Sequence, residues 1–418
     1  MFDALRKRTL GVLALGAAVS MALAACGGTT GNTQPSASIN RTGTITIWHG
    51  WEGSYLDTKK AIFDAYMAKY PGVTIQLVHK PKLDQAVVAA VPAGQGPDII
   101  AWVDDWVGKM AKLEIIKPLD DQVSKDWLTS TYSKPAVEAV TFDNKIYGLP
   151  ETVEAISLIY NKKLIQASDI PKTSDALLTY AKKYQQDHPG QYGIVWNAFN
   201  DAYFQAPWVY GFGGFYVKAD GTVGLKEQGT KDAVKYIDSF KSVFPGKPEY
   251  GVADQLFKDG KSAMIINGPW SVADYGKAGV DYGIATLPTI SSTGKPAAPF
   301  VGVKTMMVSA NAKNVPLAVD ILKWFSNKDN QIKEALDNKE IPSNLAALAD
   351  PQVKAIPQVA AFGAQVANGV PLPNTPYMTA LWDPVAKGLE AAWTGKESAD
   401  QAMNDAQTAA EGNVAQLK

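Results

Sequence analysis

From residue 44 onward the chain alternates between two hydrophobic periods. Thr44-Ile45-Thr46-Ile47-Trp48 reads as a strand, with β-branched residues on alternate sides. Between Leu56 and Lys69 the apolar positions Ala61, Ile62, Ala65 and Tyr66 fall at the spacing of an amphipathic helix. Tyr70-Pro71-Gly72 ends it, and Val73 to Val78 is the next strand. A short helix from Asp84 leads through Gly94-Gln95-Gly96-Pro97 into an apolar strand, Asp98 to Trp102. Strand–helix–strand units at this spacing imply parallel pairing with right-handed crossovers. The alternation resumes with Ile156–Tyr160, a helix over Ser174–Gln186 and a strand over Tyr192–Trp196. It appears again in the helix Lys231–Ser242, the segment Ala263–Asn267 and the strand Tyr282–Leu287. The last hundred residues are mostly helical, over Val315–Phe325, Met378–Trp393 and Ser398–Leu417. The pattern predicts an α/β protein of two lobes.

The first 43 residues have a different character. Arg6, Lys7 and Arg8 precede an apolar stretch from Leu10 to Ala24, and Leu23-Ala24-Ala25-Cys26 closes it. A basic start, a short apolar run and small residues before the cut form a secretion signal, here residues 1–25. The run is shorter than the roughly 20 residues a transmembrane helix needs. A cysteine directly after Leu-Ala-Ala resembles a lipobox, which makes Cys26 the expected lipidated N-terminus of the mature chain. The plainer reading is an ordinary signal with an incidental cysteine. Residues 26–43, rich in Gly, Thr, Ser, Asn and Pro with Ile39 as the one large apolar residue, read as a flexible tether. The protein is therefore expected in the cell envelope, lipid-anchored to the outer face of the plasma membrane, or in the periplasm where an outer membrane exists.

Composition narrows the function. The chain beyond Cys26 exceeds the roughly 250–300 residues at which single cores split, in keeping with two lobes. A formal net charge of −1 argues against a general attraction to nucleic acid or anionic lipid. With Cys26 the sole cysteine, no intrachain disulfide or cysteine metal site is available. Three scattered histidines, His49, His79 and His188, form no paired metal motif, and no phosphate loop or nucleophile elbow occurs. Gly211-Phe-Gly-Gly-Phe reads as a tight turn. Asp104 and Asp105 are adjacent and point apart on a regular element, whereas Glu151 and Glu154 are three apart near Pro150, where one turn could bring them together. That last pair leaves room for an exported glycan-cleaving enzyme. Against it, eleven tryptophans and seventeen tyrosines supply flat amphipathic rings suited to a binding site.

Four stretches then carry a resemblance. Gly94-Gln95-Gly96-Pro97-Asp98-Ile99-Ile100 precedes Trp102, and Glu154 to Lys162 follows Leu149-Pro150. Ile265-Ile266-Asn267-Gly268-Pro269-Trp270 comes next, then Pro299-Phe300-Val301-Gly302-Val303. In order and spacing they resemble the maltose/maltodextrin-binding proteins of ABC sugar importers, within extracellular solute-binding family 1, from about Thr44 to Gln416. The resemblance implies a two-lobed, type II periplasmic-binding-protein-like fold, each lobe a mainly parallel sheet flanked by helices. Residues 44–152 with 306–351 would form the N-lobe and 157–300 with 358–418 the C-lobe. Hinge crossings would fall at 153–156, 301–305 and 352–357. It also implies no catalysis and no cofactor, but a monomer that captures an oligosaccharide by hinge closure and passes it to the permease subunits of an ABC transporter, touching the membrane through its lipid alone.

By register, the family's stacking aromatics fall on Trp102, Tyr203, Trp270 and Trp382, and its polar ligand contacts on Lys82, Asp105, Glu154 and Asp201. Rings suit the C–H faces of a pyranose, and charged or amide groups suit its hydroxyl rim. Two positions depart from the pattern. Trp51-Glu52 stands where relatives commonly place an Asp-Lys pair, and Trp106 stands where an Arg often follows the site Asp. Trp51 and Trp106 are thus expected to add stacking surfaces and Glu52 to replace a cationic donor. The departures bear on maltose itself more than on the sugar class, and a non-sugar solute on the same fold is the alternative ligand.

Overall fold

The computed structural model describes residues 39–418. The signal segment 1–25, Cys26 and the tether as far as Ser38 lie outside the described residues. The first three strands are β1 (Gly43–His49), β2 (Val73–His79) and β3 (Ile99–Val103). They pair in parallel with β1 in the centre, from Gly43 opposite Val73 to His49 opposite His79, and from Ile47 opposite Ile99 to His49 opposite Ala101. The helices Gly53–Lys69 and Leu83–Ala90 make the two crossovers.

The chain leaves this sheet along β4 (Gly148–Glu154) and enters a second one through β5 (Ser157–Asn161). There β6 (Met264–Asn267) and β7 (Tyr282–Ala285) flank β5, both antiparallel to it. The chain returns along β8 (Phe300–Val308), which inserts between β3 and β4. An outgoing strand and a returning strand run oppositely, so β8 is antiparallel to both neighbours. Short strands β9 (Ile341–Pro342) and β10 (Val370–Pro371) complete the seven-stranded sheet. The expectation of mainly parallel sheets therefore holds for β1–β3 and for the short β8–β10 pairing, and is corrected where β8 runs against β3 and β4 and throughout the smaller sheet. Tyr192–Trp196 makes isolated parallel bridges, Tyr192 with Ser262 and Val195 with Ile265, in place of a full strand. The helix expected over Met378–Trp393 divides at Leu381 into a single turn, Met378–Ala380, and the helix Trp382–Thr394.

Both sheets are covered on both faces. Ile47 and Ile99 join one apolar cluster while Ile100 and Met307 join another on the opposite face. In the smaller sheet Leu158 and Ile266 belong to a cluster with Trp196, Trp208 and Phe240, and their neighbours Ile159 and Ile265 point the other way. Alternation along each strand produces this division. No helix among the described residues is long and apolar enough to cross a membrane.

Candidate functional site

The three parallel strands end on the same side, and the loops beyond their C-terminal ends build one wall of a groove. After β1 come Gly50–Gly53, after β2 come Pro81 and Lys82, and β3 runs through Trp102 into Asp104-Asp105-Trp106. The opposing wall comes from the smaller sheet's side. Trp270 lies in the turn Pro269–Ser271 just after β6, Asp201 and Tyr203 open the helix Ala202–Gly211, and Trp382 is the first residue of its helix. Two adjoining cavities of about 550 and 620 Å³ occupy the groove and share Trp102, Val103, Glu154 and Trp270. Either volume alone is within the usual range for small-molecule sites, so together they exceed the needs of a monosaccharide.

Two glycines make room for the rings. A Cβ on Gly50 would stand 2.8 Å from the Trp102 ring, and one on Gly268 would stand 2.1 Å from the Trp270 ring. Each indole folds back over backbone that carries no side chain. Trp270 also donates its indole N–H to Tyr250 Oη at 3.1 Å. A line of aromatic contacts continues along this wall, from Trp270 to Tyr203 (6.4 Å between centroids), Tyr203 to Phe300 (6.2 Å) and Phe300 to Trp382 (6.2 Å).

The polar groups have distinct roles. Asp105, 5% exposed, accepts the Trp382 indole N–H at 2.8 Å, a bond that joins the two walls. Burial pushes its carboxyl up to about 7, against the pull of that N–H. Asp201 caps its helix, accepting from the Tyr203 and Phe204 amides at 2.9 and 3.4 Å and from Asn197 Nδ2 at 2.9 Å. Lys82 is exposed at the rim of the second cavity. Glu52 is exposed in the first and pairs with His79 at 3.2 Å. Trp106 lines the second cavity with Lys109 over its ring at 4.4 Å.

Trp51 requires a correction. It touches the first cavity but is 6% exposed, stacked on Phe325, Phe63 and His49 with interplanar angles of 6°, 27° and 19°. Its faces are covered by core rings, so it supports the loop and offers no stacking platform.

Beneath the groove lies a buried charge cluster. Lys59 pairs with Glu151, Glu334 and Glu340, while Lys304 on β8 pairs with Glu154 and lies 3.8 Å from Glu340. Tyr55 donates its hydroxyl to Glu151 at 2.9 Å and presents its ring to both ammonium groups, at 4.2 and 4.7 Å. Burial opposes the Lys59 charge, but the glutamates outweigh it and hold its pKa above the ordinary lysine value. Burial lifts Glu154 above the usual carboxylate range despite Lys304. Glu151, Glu334 and Glu340 bring carboxylate oxygens within 4.8 Å of one another, and Lys59 is the cation among them. Glu151 and Glu154 are thus each engaged by a lysine, which favours a structural role over an acid–nucleophile pair.

Sequence reasoning missed Lys304, Tyr250, Asp254, Lys258 and Asp274, which also line the first cavity. Lys304 had a signal, since it is the only charged residue in the nine-residue strand Phe300–Val308. It lies over the Trp270 ring at 5.3 Å, placing a cation on the groove floor beside the central indole.

The model of bacterial extracellular solute-binding proteins matches residues 61–361 of this chain. The maltotriose-binding protein of Pyrococcus abyssi is 34% identical over 366 residues, covering 86% of this chain and 79% of that protein. The galactooligosaccharide-binding protein of Bacillus subtilis is 32% identical, covering 96% of each. Among solved structures, the maltose/maltodextrin-binding domain from Bdellovibrio bacteriovorus bound to maltotriose superposes with a TM-score of 0.83 at 31% identity, covering 89% of this chain and 100% of that one.

Proposed function

Because this chain belongs to the bacterial extracellular solute-binding proteins, we propose that it captures a malto-oligosaccharide or related α-glucoside in the groove and delivers it to the permease of an ABC importer. The observation that carries this reading is the convergence of Trp102 from one wall with Tyr203, Trp270 and Trp382 from the other around a single elongated groove. Rings on both sides match the two C–H faces of successive pyranose units, and Asp105, Glu154, Lys304 and Lys82 are placed for the hydroxyl rims. The groove volume favours several units over one. A relative and a solved neighbour that bind maltotriose by name support the same class.

Binding works by closure. A ligand that touches both walls is held more tightly when they approach, so it shifts the population toward the closed form, which the permease then reads. The segments 153–156 and 301–305 are the hinge in this proposal, with 352–357 as the third crossing. Residues 44–152 with 306–351 move as one lobe, and 157–300 with 358–418 as the other. Cys26, acylated after removal of residues 1–25, holds the monomer at the outer face of the plasma membrane.

The relative that binds galactooligosaccharides by name favours one second reading, a galactooligosaccharide on the same aromatic platform. A thermal-shift and tryptophan-fluorescence screen of protein truncated before Ile39 separates the two. Maltotriose and maltotetraose should raise Tm by linkage and change indole emission, and galacto-oligosaccharides should not. A shift with galactosides alone transfers the assignment, and no response to any sugar at millimolar concentration removes the sugar class.

A further inference from the structure

The groove is built differently at its two ends. Trp102, Glu154 and Trp270, shared by both cavities, mark its middle. The floor of the second cavity is bridged by the Asp105–Trp382 bond, whose carboxylate is buried. Beyond it stand Lys82 and Asp383, both exposed, and Asp383 is bonded to Lys387 on its own helix at 2.7 Å. That end runs out to solvent.

The first cavity also has exposed lining residues, Glu52 and Tyr250, but there a side-chain bond spans the two walls at the rim. Ser54, on the helix Gly53–Lys69, donates its hydroxyl to Asp274 Oδ1 at 3.0 Å, and Asp274 belongs to the helix Val272–Lys277 on the opposing wall. Both residues are only partly buried, so this bond lies at the rim. Asp274 Oδ2 would stand 3.6 Å from a Cβ on Gly53, which leaves a space one methyl group wide between the walls. Two neighbouring residues are anchored. Asp254 is held by Lys258 at 2.6 Å and by the Tyr275 hydroxyl at 2.9 Å, and Tyr250 is held by Trp270.

We propose that Ser54 and Asp274 form a gate closing this end of the groove, so that the ligand is a linear oligosaccharide whose terminal unit stops there while its other end emerges past Lys82 and Asp383. The inference rests on the sugar-binding reading and adds directionality to it: one terminus of the chain must be free and unsubstituted, and the opposite terminus tolerates extension. A hydroxyl-bearing end unit meets Asp274, Asp254 and Lys258, whereas a bulky group there requires the Ser54–Asp274 bond to open.

The test uses maltotetraose and two derivatives, one with an aryl group at the anomeric carbon and one with the same group at O4 of the opposite terminal unit. Dissociation constants are measured by calorimetry for the wild type, Asp274→Ala and Ser54→Ala, with thermal unfolding to verify each fold. The wild type should keep one derivative within threefold of the uncapped chain, rejection of both overturning the directionality, and should bind the other more than tenfold more weakly. In Asp274→Ala that ratio should fall to within threefold, with Ser54→Ala moving in the same direction. Ser54→Ala carries the test alone should Asp274→Ala fail to fold. Binding of both derivatives within threefold of the parent by the wild type overturns the gate, as does a rejection that both variants leave unchanged. Failure of maltotetraose itself to bind brings down the malto-oligosaccharide reading, and the gate for that ligand with it.

Discussion

The indole N–H of Trp382 and the buried carboxylate of Asp105 meet at 2.8 Å across the floor of the groove. One residue follows β3 and the other begins a helix on the opposing wall, so the bond ties the two walls together. A charge-assisted bond of this type is worth roughly 1.5–3 kcal/mol. Trp382→Phe keeps a ring for stacking but removes the donor. Its expected result is a tenfold or larger loss of affinity for maltotriose, measured by calorimetry, with a smaller change in Tm. An unchanged dissociation constant would mean that the bond contributes nothing to closure.

Asp105 also predicts a pH dependence. Burial raises its carboxyl to about 7 in the free protein, so it is largely protonated at pH 5.5 and ionised at pH 8.5. Sugar hydroxyls donate to the ionised form and stabilise it, which lowers the pKa on binding and releases a proton. Affinity should therefore rise from pH 5.5 to 8.5 and level off above about 7, with proton release detectable as a buffer-dependent binding enthalpy. In Asp105→Asn the slope should vanish. A wild-type affinity that is flat over this range contradicts the assignment of Asp105 to the ligand's hydroxyl rim.

These two residues also mark how far the sequence could be read. Trp102 and Trp270 stand at strand ends, and the resemblance placed them by register, so both were legible. Their supporting glycines, Gly50 and Gly268, were not, because the need for a missing Cβ follows from ring rotamers. Trp51 was misassigned for a related reason. Next to β1 it reads like any site aromatic, and the partner that covers it, Phe325, lies far along the chain. Strand direction beyond β3 was equally hidden, since it depends on β8 returning from the other sheet. Lys304 was the one omission with a local signal, a lone charge in an apolar strand that must find a partner when buried.

The contrast between two tryptophans is directly measurable. Trp51→Ala opens a cavity in a packed aromatic cluster and should cost about 3–5 kcal/mol of folding stability in urea titrations. Trp270→Ala removes a groove platform and should weaken sugar binding by about ten- to a hundredfold, equivalent to roughly 1.5–3 kcal/mol. Each substitution should show its larger effect in its own assay. The reverse pattern would return Trp51 to the binding surface and Trp270 to the core.

The cluster under the groove makes the last test. Lys59 is fully buried and serves three glutamates, of which Glu334 is pushed well above the usual carboxylate range by burial, with Lys59 pulling the other way. Removing the ammonium leaves carboxylates facing one another without a counter-charge. Lys59→Met should therefore lose about 3–5 kcal/mol at neutral pH. Part of that loss should return in Lys59→Met/Glu334→Gln, where one carboxylate is neutralised and the amide fits the same space. Because Glu334, already raised by burial, loses in the single variant the lysine that pulls it the other way, it takes up a proton there, and the deficit should shrink as the pH is lowered from 8 to 5 and the protonated fold is stabilised. Urea unfolding of both variants across that range decides the matter: a loss below about 1 kcal/mol, or one that is independent of pH, would mean that Lys59 is not the counter-ion on which the crossing strand β4 rests.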